Sequence, residues 1–458
     1  MSGRSARAIA AVAAALTLGS VVTASASSGP TLVKDIDPGS GGSDPSAFVK
    51  FSSNLAFFAA NDATHGRELW KTDGSSGGTA MVKDIRPGAD GSVPGELAVL
   101  GGQLLFSADD GTHGLEIWKS NGTAGGTTMV KDINPGPDGS DAEGVTAFDG
   151  NVYFDARDAT HGDELWKSDG TAAGTQMVKD IDPGSTGSAP YSFEIAGGKL
   201  FFAANDASDG RELWTTDGTA AGTKMVRNID PGSASSNPQD LHAFGGDVYF
   251  AAQDATHGNE LWKSDGTSAG TTMVKDIRGG QKGSNPNLQV VVGGNLYMIA
   301  TDASSGEQVW RTDGTSGGTV QVSDIDPGPN ASVRPPVVTM GSKLYFSAFT
   351  AGHGDELWRN SGSIGSGLLL KDIWPGPDNS EPVGLRVVGS TLLFTAIDPT
   401  HGQELWRTDG TKSGTRLVKD LVPGTGSSDA FVEFPLAGAA LLSARTASKG
   451  EELYTYTP

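Results

Sequence analysis

The chain has 458 residues, 66 glycines, no cysteine and a formal net charge of −21. So acidic a protein lacks the basic footprint that a nucleic-acid ligand requires and is repelled by anionic membrane surfaces. Without cysteine it offers no thiol nucleophile and must hold together by packing, without disulfide staples.

The first element is a leader. Arg4 and Arg7 precede an alanine-rich apolar run from Ala8 to Val22, and the small triplet Ala24-Ser25-Ala26 follows. A basic start, a short apolar core and an A-x-A site read as a secretory signal peptide over residues 1–26. The run is too short and too rich in alanine to favour a transmembrane helix. Cleavage after Ala26 leaves residues 27–458 as one secreted, extracellular domain, and the loss of two arginines takes its charge to −23. No later segment resembles an apolar span, so no membrane insertion is expected.

After the leader the chain repeats. Glu68-Leu69-Trp70 returns as Glu116-Ile117-Trp118, then Glu164-Leu165-Trp166, and so on to Glu452-Leu453-Tyr454, always 48 residues apart. Val33-Lys34-Asp35-Ile36 also has nine copies, the later ones starting at Val82, Val130, Val178, Val226, Val274, Val322, Leu370 and Val418. A fixed period of this length marks a propeller blade. In the first unit, strands are predicted over Phe48–Ser52, Leu55–Asn61, Glu68–Thr72 and Met81–Ile85. Turns such as Asp73-Gly74 and Pro87-Gly88 join them. No stretch holds a 3.6-residue apolar period, which speaks against a helical solenoid.

The order of the pieces predicts how the ring closes. A fourth strand, Thr31 to Ile36, precedes every other strand, and the last unit, Phe431 to Tyr456, stops after its third. The N-terminal strand would complete the last blade, giving an all-β closed propeller of nine four-stranded blades. An eight-bladed ring or an open repeat array is the competing arrangement. A hairpin centred between Ser75 and Ser76 places Glu68 opposite Lys83, Leu69 opposite Val82 and Trp70 opposite Met81. Glu68 and Lys83 would then form a cross-strand ion pair worth ~0.2–1 kcal/mol. The unit that loses the acid, at Gln308, also loses the base, at Ser323. Glu452 would find its base only in Lys34, at the other end of the chain.

The run Glu-Leu-Trp-Lys-Thr-Asp-Gly with a following Gly-Thr resembles the repeat of the ELWxxDGT repeat proteins, a bacterial group of secreted, propeller-like proteins. The resemblance covers nearly the whole chain after the leader. It supports a propeller and implies no known chemistry. The same hairpin is similar, more weakly, to the Asp-box turn of sialidase propellers. Asp73, Asp169, Asp217, Asp265, Asp313 and Asp409 match its acid, while Asn121 and Ser361 depart from it. That resemblance implies a folding device and no glycosidase activity.

Links in a blade alternate between its two ends. The strand two-to-three link and the link from strand four to the next blade therefore share one face, where binding is expected. On it the Asp-x-x-His-Gly loop supplies the candidate binding residues Asp62 and His65, Asp110 and His113, Asp158 and His161, Asp254 and His257, His353, and Asp398 and His401. One histidine per blade does not converge on a zinc ion, so a capped turn with glycine in an unusual conformation is the simpler reading. No cofactor is expected. Calcium is the ion best suited to loops such as Pro137-Asp138-Gly139-Ser140 and Pro377-Asp378-Asn379-Ser380, but each offers one or two acids against the six to eight oxygens calcium takes.

Neither G-x-S-x-G nor H-E-x-x-H occurs. A catalytic carboxylate pair should break the symmetry of the repeat. Unit six departs most, at Gln308, Ser323 and Gln281-Lys282, then unit seven, at Arg334, Phe349-Thr350 and Asn360-Ser361. The leading expectation is a secreted, monomeric, non-enzymatic scaffold that binds extracellular glycans or proteins through repeated contacts. The alternative is an exported glycoside hydrolase or lyase with its site at the propeller centre. Identical residues round the channel favour binding. A cluster of unlike polar residues from adjacent blades favours catalysis.

Overall fold

Each 48-residue unit folds as a four-stranded antiparallel sheet because its apolar runs are short and glycine turns bound them. In the computed structural model, which describes residues 29–326, 328 and 332–458, nine such sheets follow one another. The predicted leader lies outside the described residues. In blade 1 the strands are Ser46–Lys50, Ala56–Asp62, Gly66–Thr72 and Ala80–Lys83. Ala56 to Ala60 are all buried, as expected where a sheet is sandwiched on both faces. The first strands of successive blades touch one another round the centre. The fourth strands therefore form the outer rim.

The ring is closed, and the two termini close it. Thr31–Lys34 pairs with the final strand, Lys449–Tyr456, with Thr31 opposite Thr455. Phe431–Leu436 is the innermost strand of that sheet. Between blades lie apolar clusters, such as Val33, Ile36 and Leu453 of blade 9 against Phe58 and Trp70 of blade 1.

The predicted ion pair is a correction. A bulge between Leu69 and Trp70 shifts the register, so that Leu69, and not Glu68, lies opposite Lys83, Leu69 does not face Val82, and Trp70 does face Met81. Glu68 has no solvent exposure. It accepts hydrogen bonds from the amides of Arg86 and Ser92, both at 3.0 Å, and from Ser92 Oγ at 2.6 Å. Those donors lie in the link leaving the fourth strand, so the carboxylate pins that link to its own blade. Burial pushes the Glu68 carboxyl up from its ordinary value, against the pull of these donors. The proposed Glu452–Lys34 pair fails in the same way. Glu452 instead accepts from the amides of Ile36 and Asp37, at 2.8 and 3.0 Å, and from Ser43 Oγ at 2.8 Å.

The lysines serve the next blade instead. Lys83 Nζ donates to the Thr127 carbonyl at 2.9 Å and lies 5.7 Å over the Trp118 ring. Lys34 likewise donates to the Thr79 carbonyl of blade 1 at 2.8 Å, over Trp70. A cation on an indole face contributes about 0.5–2 kcal/mol, more when desolvated, so these clamps stitch blade to blade.

Candidate functional site

The two links predicted to share a face do meet. Gly66, with φ near +67°, sits so close to Ala89 and Gly91 that an added Cβ would lie 2.5 Å from their backbone. This is a place where only glycine fits. On that face Asp62 Oδ1 accepts from the amides of Thr64 and His65 at 2.8 and 2.7 Å, and His65 Nδ1 lies 2.9 Å from Oδ2. Asp110 with His113, Asp158 with His161, Asp254 with His257 and Asp398 with His401 repeat the turn. His353 meets Thr350 Oγ1 at 3.3 Å instead. The bond to aspartate raises the affinity of His65, His113, His161 and His257 for a proton. Each pair stays on its own blade. Among the described residues no group of three or more His, Cys, Asp or Glu is placed to hold a metal.

Substitution at the histidine position carries its own logic. Asp209 accepts from Asn228 Nδ2 at 2.7 Å, and Lys449 pairs with Asp35. The partner changes with the residue, which fits a structural turn.

The asymmetry lies at the inner end of the same face, where the links enter the first strands. Blade by blade from the first, the second-strand position there reads Ala59, Ser107, Asp155, Ala203, Ala251, Ile299, Ser347, Thr395 and Ser443. Only blade 3 carries an acid. The start of the third strand reads Arg67, Leu115, Asp163, Arg211, Asn259, Glu307, Asp355, Gln403 and Glu451. The first position takes five residue types and the second six, and only blades 1 and 4 share the same combination, while the outer hairpins stay almost identical.

These positions line a cavity of about 400 Å³ at the junction of blades 3 and 4, reached also by Glu96 of blade 2. Glu143 lies directly across the strand pair from Asp155, a spacing that brings their Cβ atoms to about 4.5–5.5 Å. Across the junction, the Arg211 guanidinium stacks 4.9 Å over the Tyr191 ring and donates to the Ala189 carbonyl at 2.8 Å. Tyr191 is 39% exposed. Burial, together with Asp163, Glu143 and Glu164, pushes the Asp155 carboxyl up to about 8, and Arg211 opposes this only weakly. Asp155 Oδ1 is closed to solvent and has no hydrogen-bond partner. At neutral pH the group is therefore a neutral acid next to other carboxylates.

A second cavity, of about 390 Å³, lies at the corresponding place between blades 6 and 7, lined by Asn287, Glu307 and Arg334 among others. Arg334 pairs at 2.6 Å with Asp355, which is 1% exposed. Arg334 was among the departures noted in the sequence. Asp155, Tyr191 and Arg211 were missed, although aligning the units at their 48-residue period displays Asp155 as the lone acid in its column.

A family profile described as outer membrane protein assembly factor BamB matches residues 245–380. No curated protein matches the chain. Among solved structures, the computationally designed Ika8 protein shares 14% identity at a TM-score of 0.43, over 80% of this chain and 96% of that one. Puromycin hydrolase shares 13% at 0.41, over 83% and 62%. A puromycin-hydrolyzing peptidase of Mycobacterium tuberculosis shares 12% at 0.41, over 77% and 57%. The chain spans about three-fifths of the length of these two proteins. The partial profile match and the nine four-stranded blades together place the protein among the β-propeller repeat proteins.

Proposed function

We propose that this is a secreted, non-enzymatic binding scaffold of the ELWxxDGT repeat group, exported through residues 1–26, whose ligands are extracellular glycans or proteins taken at the channel mouth. The observation that carries this reading is the contrast between an outer rim repeated almost without change and a mouth where nearly every blade differs. Rigid repeats that hold variable residues at one end are the usual arrangement of a recognition surface. The Asp-His turns, satisfied within their own blades, support the scaffold instead of forming the contact.

The test is an array of glycans and peptides probed with wild type, with Y191A/R211A and with D62N/H65Q. Retained binding is expected for D62N/H65Q and loss for Y191A/R211A. The reverse pattern would return the site to the outer loops.

One observation favours the second reading, a glycoside hydrolase or lyase. Unlike polar residues from adjacent blades do gather at the mouth, and Asp155, protonated at neutral pH, faces Glu143 across one strand pair. A neutral acid beside a second carboxyl is the arrangement glycosidases use. New reducing ends released from an oligosaccharide panel by wild type and not by D155N would establish it.

A further inference from the structure

We propose that the histidines of the Asp-x-x-His-Gly turns are proton-operated latches, which hold two links of the mouth face together in acid and release them in alkali. Each latch is a histidine set between two acids. One acid lies on its own turn, where His65 Nδ1 is 2.9 Å from Asp62 Oδ2. The other, Asp84, leaves the fourth strand with the long link, and its charge also acts on His65. Asp132, Asp180 and Asp276 stand in the same relation to His113, His161 and His257.

Two blades show that these positions meet, because they join the same links without histidine. In blade 4 both members change. Asp209 takes the place of the histidine and Asn228 that of the second acid, and Asn228 Nδ2 donates to Asp209 Oδ1 at 2.7 Å. In blade 9 Lys449 takes the place of the histidine and pairs with Asp35, the acid of the closing strand. Neither substitute changes its charge between pH 6 and 9.

Histidine does. A neutral imidazole has one N–H donor, and an imidazolium has two and a positive charge. With the Nδ1 proton directed at Asp62, a neutral ring has only a lone pair left for the second acid. Protonation replaces that lone pair with a donor. The change matters because Oδ1 of Asp84, Asp132 and Asp180 is closed to solvent and meets no donor. A carboxylate so placed is costly without a cation beside it.

The acids acting on His65 come from each element around it: Asp62 from the turn, Glu68 from the third strand and Asp84 from the end of the fourth. The neighbouring bases are engaged elsewhere. Arg67 donates to the Asp44 carbonyl at 2.9 Å, and Arg86 pairs with Asp109. The bond to Asp62 therefore holds the proton affinity of His65 above its ordinary value, against the opposing effect of burial. A group that binds its proton more tightly when folded contributes fully below its unfolded pKa, here about 6.5, and loses that contribution as pH rises through the folded value. Asp62 has the opposite sign. Burial pushes its carboxyl up, but the bonds from His65 and from the amides of His65 and Thr64 prevail and hold it below its ordinary value. The turn therefore weakens in acid only below about pH 4.

The experiment is hydrogen exchange of the full chain at pH 6 and pH 9, with rates corrected for the intrinsic effect of pH. Protection over 62–66, 110–114, 158–162 and 254–258 is expected to fall several-fold at pH 9, while 206–210 and 446–450 keep theirs. That comparison lies within one molecule and needs no variant to fold. H65K, which copies blade 9, and H65D/D84N, which copies blade 4, should each abolish the loss at 62–66 and leave it at 110–114. These variants also separate the latch from Glu68, whose raised carboxyl weakens the fold in alkali but is retained in both. An equal loss in every turn overturns the proposal, as does a loss at 62–66 that persists in H65K, or histidine ring signals that titrate at or below the ordinary value.

Discussion

Glu164 shows how one side chain can carry a whole link. It has no solvent exposure, and it accepts from the amides of Ile181 and Asp182, at 3.0 and 2.9 Å, and from Ser188 Oγ at 2.7 Å. Truncation to alanine strands three donors, each costing about 1–3 kcal/mol when buried without a partner. Relief of the buried charge offsets part of that. E164A is therefore expected to cost about 3–5 kcal/mol, seen as a lower midpoint in urea. E164Q should cost about 1 kcal/mol, because the chain already contains that solution. Gln308 Oε1 accepts from Ser323 Oγ at 2.7 Å and from the Ile325 amide at 3.2 Å. Equal losses for the two variants would remove the carboxylate from this role. The joint change of Gln308 and Ser323 was thus a true contact in the sequence. Its generalisation to Glu68 and Lys83 failed because the ionised form is met by two backbone amides and a serine hydroxyl of the following link, and not by the base across the hairpin.

At the scale of elements, the blades were legible and the way they join was not. Strand count and turn positions follow from period and glycine placement. The bulge after Leu69 does not, and it turns each lysine from its own blade towards the next. Lys34, Lys83, Lys131, Lys179, Arg227, Lys275 and Lys371 each donate to a threonine carbonyl of the following blade. A second row runs from Lys71, Lys119, Lys167, Lys263 and Arg359 to glycine carbonyls across the same junctions. Between blades 6 and 7 both rows are interrupted. Ser323 replaces the lysine, Gly367 replaces the threonine, and Arg311 Nε is buried with no partner. Asn360 Nδ2, donating to the Val322 carbonyl at 2.9 Å, spans the gap at the rim, and near the centre Gln289 Oε1 accepts from the Val337 amide at 2.9 Å. The outer strand of blade 6 is just Val320–Gln321. Local opening follows the weakest set of contacts. Hydrogen exchange should therefore be fastest among the outer strands at Val320–Gln321 and Leu368–Lys371. The triple variant Q308E/S323K/G367T should slow it, since a Cβ at Gly367 meets Ile325 at an ordinary 3.6 Å. Uniform exchange across all outer strands would show that the clamps contribute little.

For the whole molecule, closure was the inference the sequence carried furthest, and the reason is arithmetic: a fourth strand without a blade at one end and a blade without a fourth strand at the other. What the sequence could not display is which of the unlike residues come together at the mouth. Asp155 and Arg211 belong to different blades and meet only once the ring is formed. The ring is closed by the two ends of the chain. Thr31–Lys34 contributes a short ladder to Lys449–Tyr456, Glu452 gathers the segment that follows, and Ser43 N donates to the Glu451 carbonyl at 2.7 Å. A chain without cysteine permits a clean test of that joint. Thr31 and Thr455 are directly opposed, and antiparallel partners have Cα atoms about 4.5–5.5 Å apart, within the range a disulfide spans. T31C/T455C should oxidise spontaneously and run as a circular species on a non-reducing gel. The bond closes nearly the entire chain, so it should stabilise by an amount near the top of the usual range, about 4–5 kcal/mol, and lose that gain on reduction. The single variants should melt like the wild type. Failure to cross-link, with both thiols reactive to a small reagent, would mean that the two ends do not share a sheet in solution, and the channel mouth would lose the frame that assembles it.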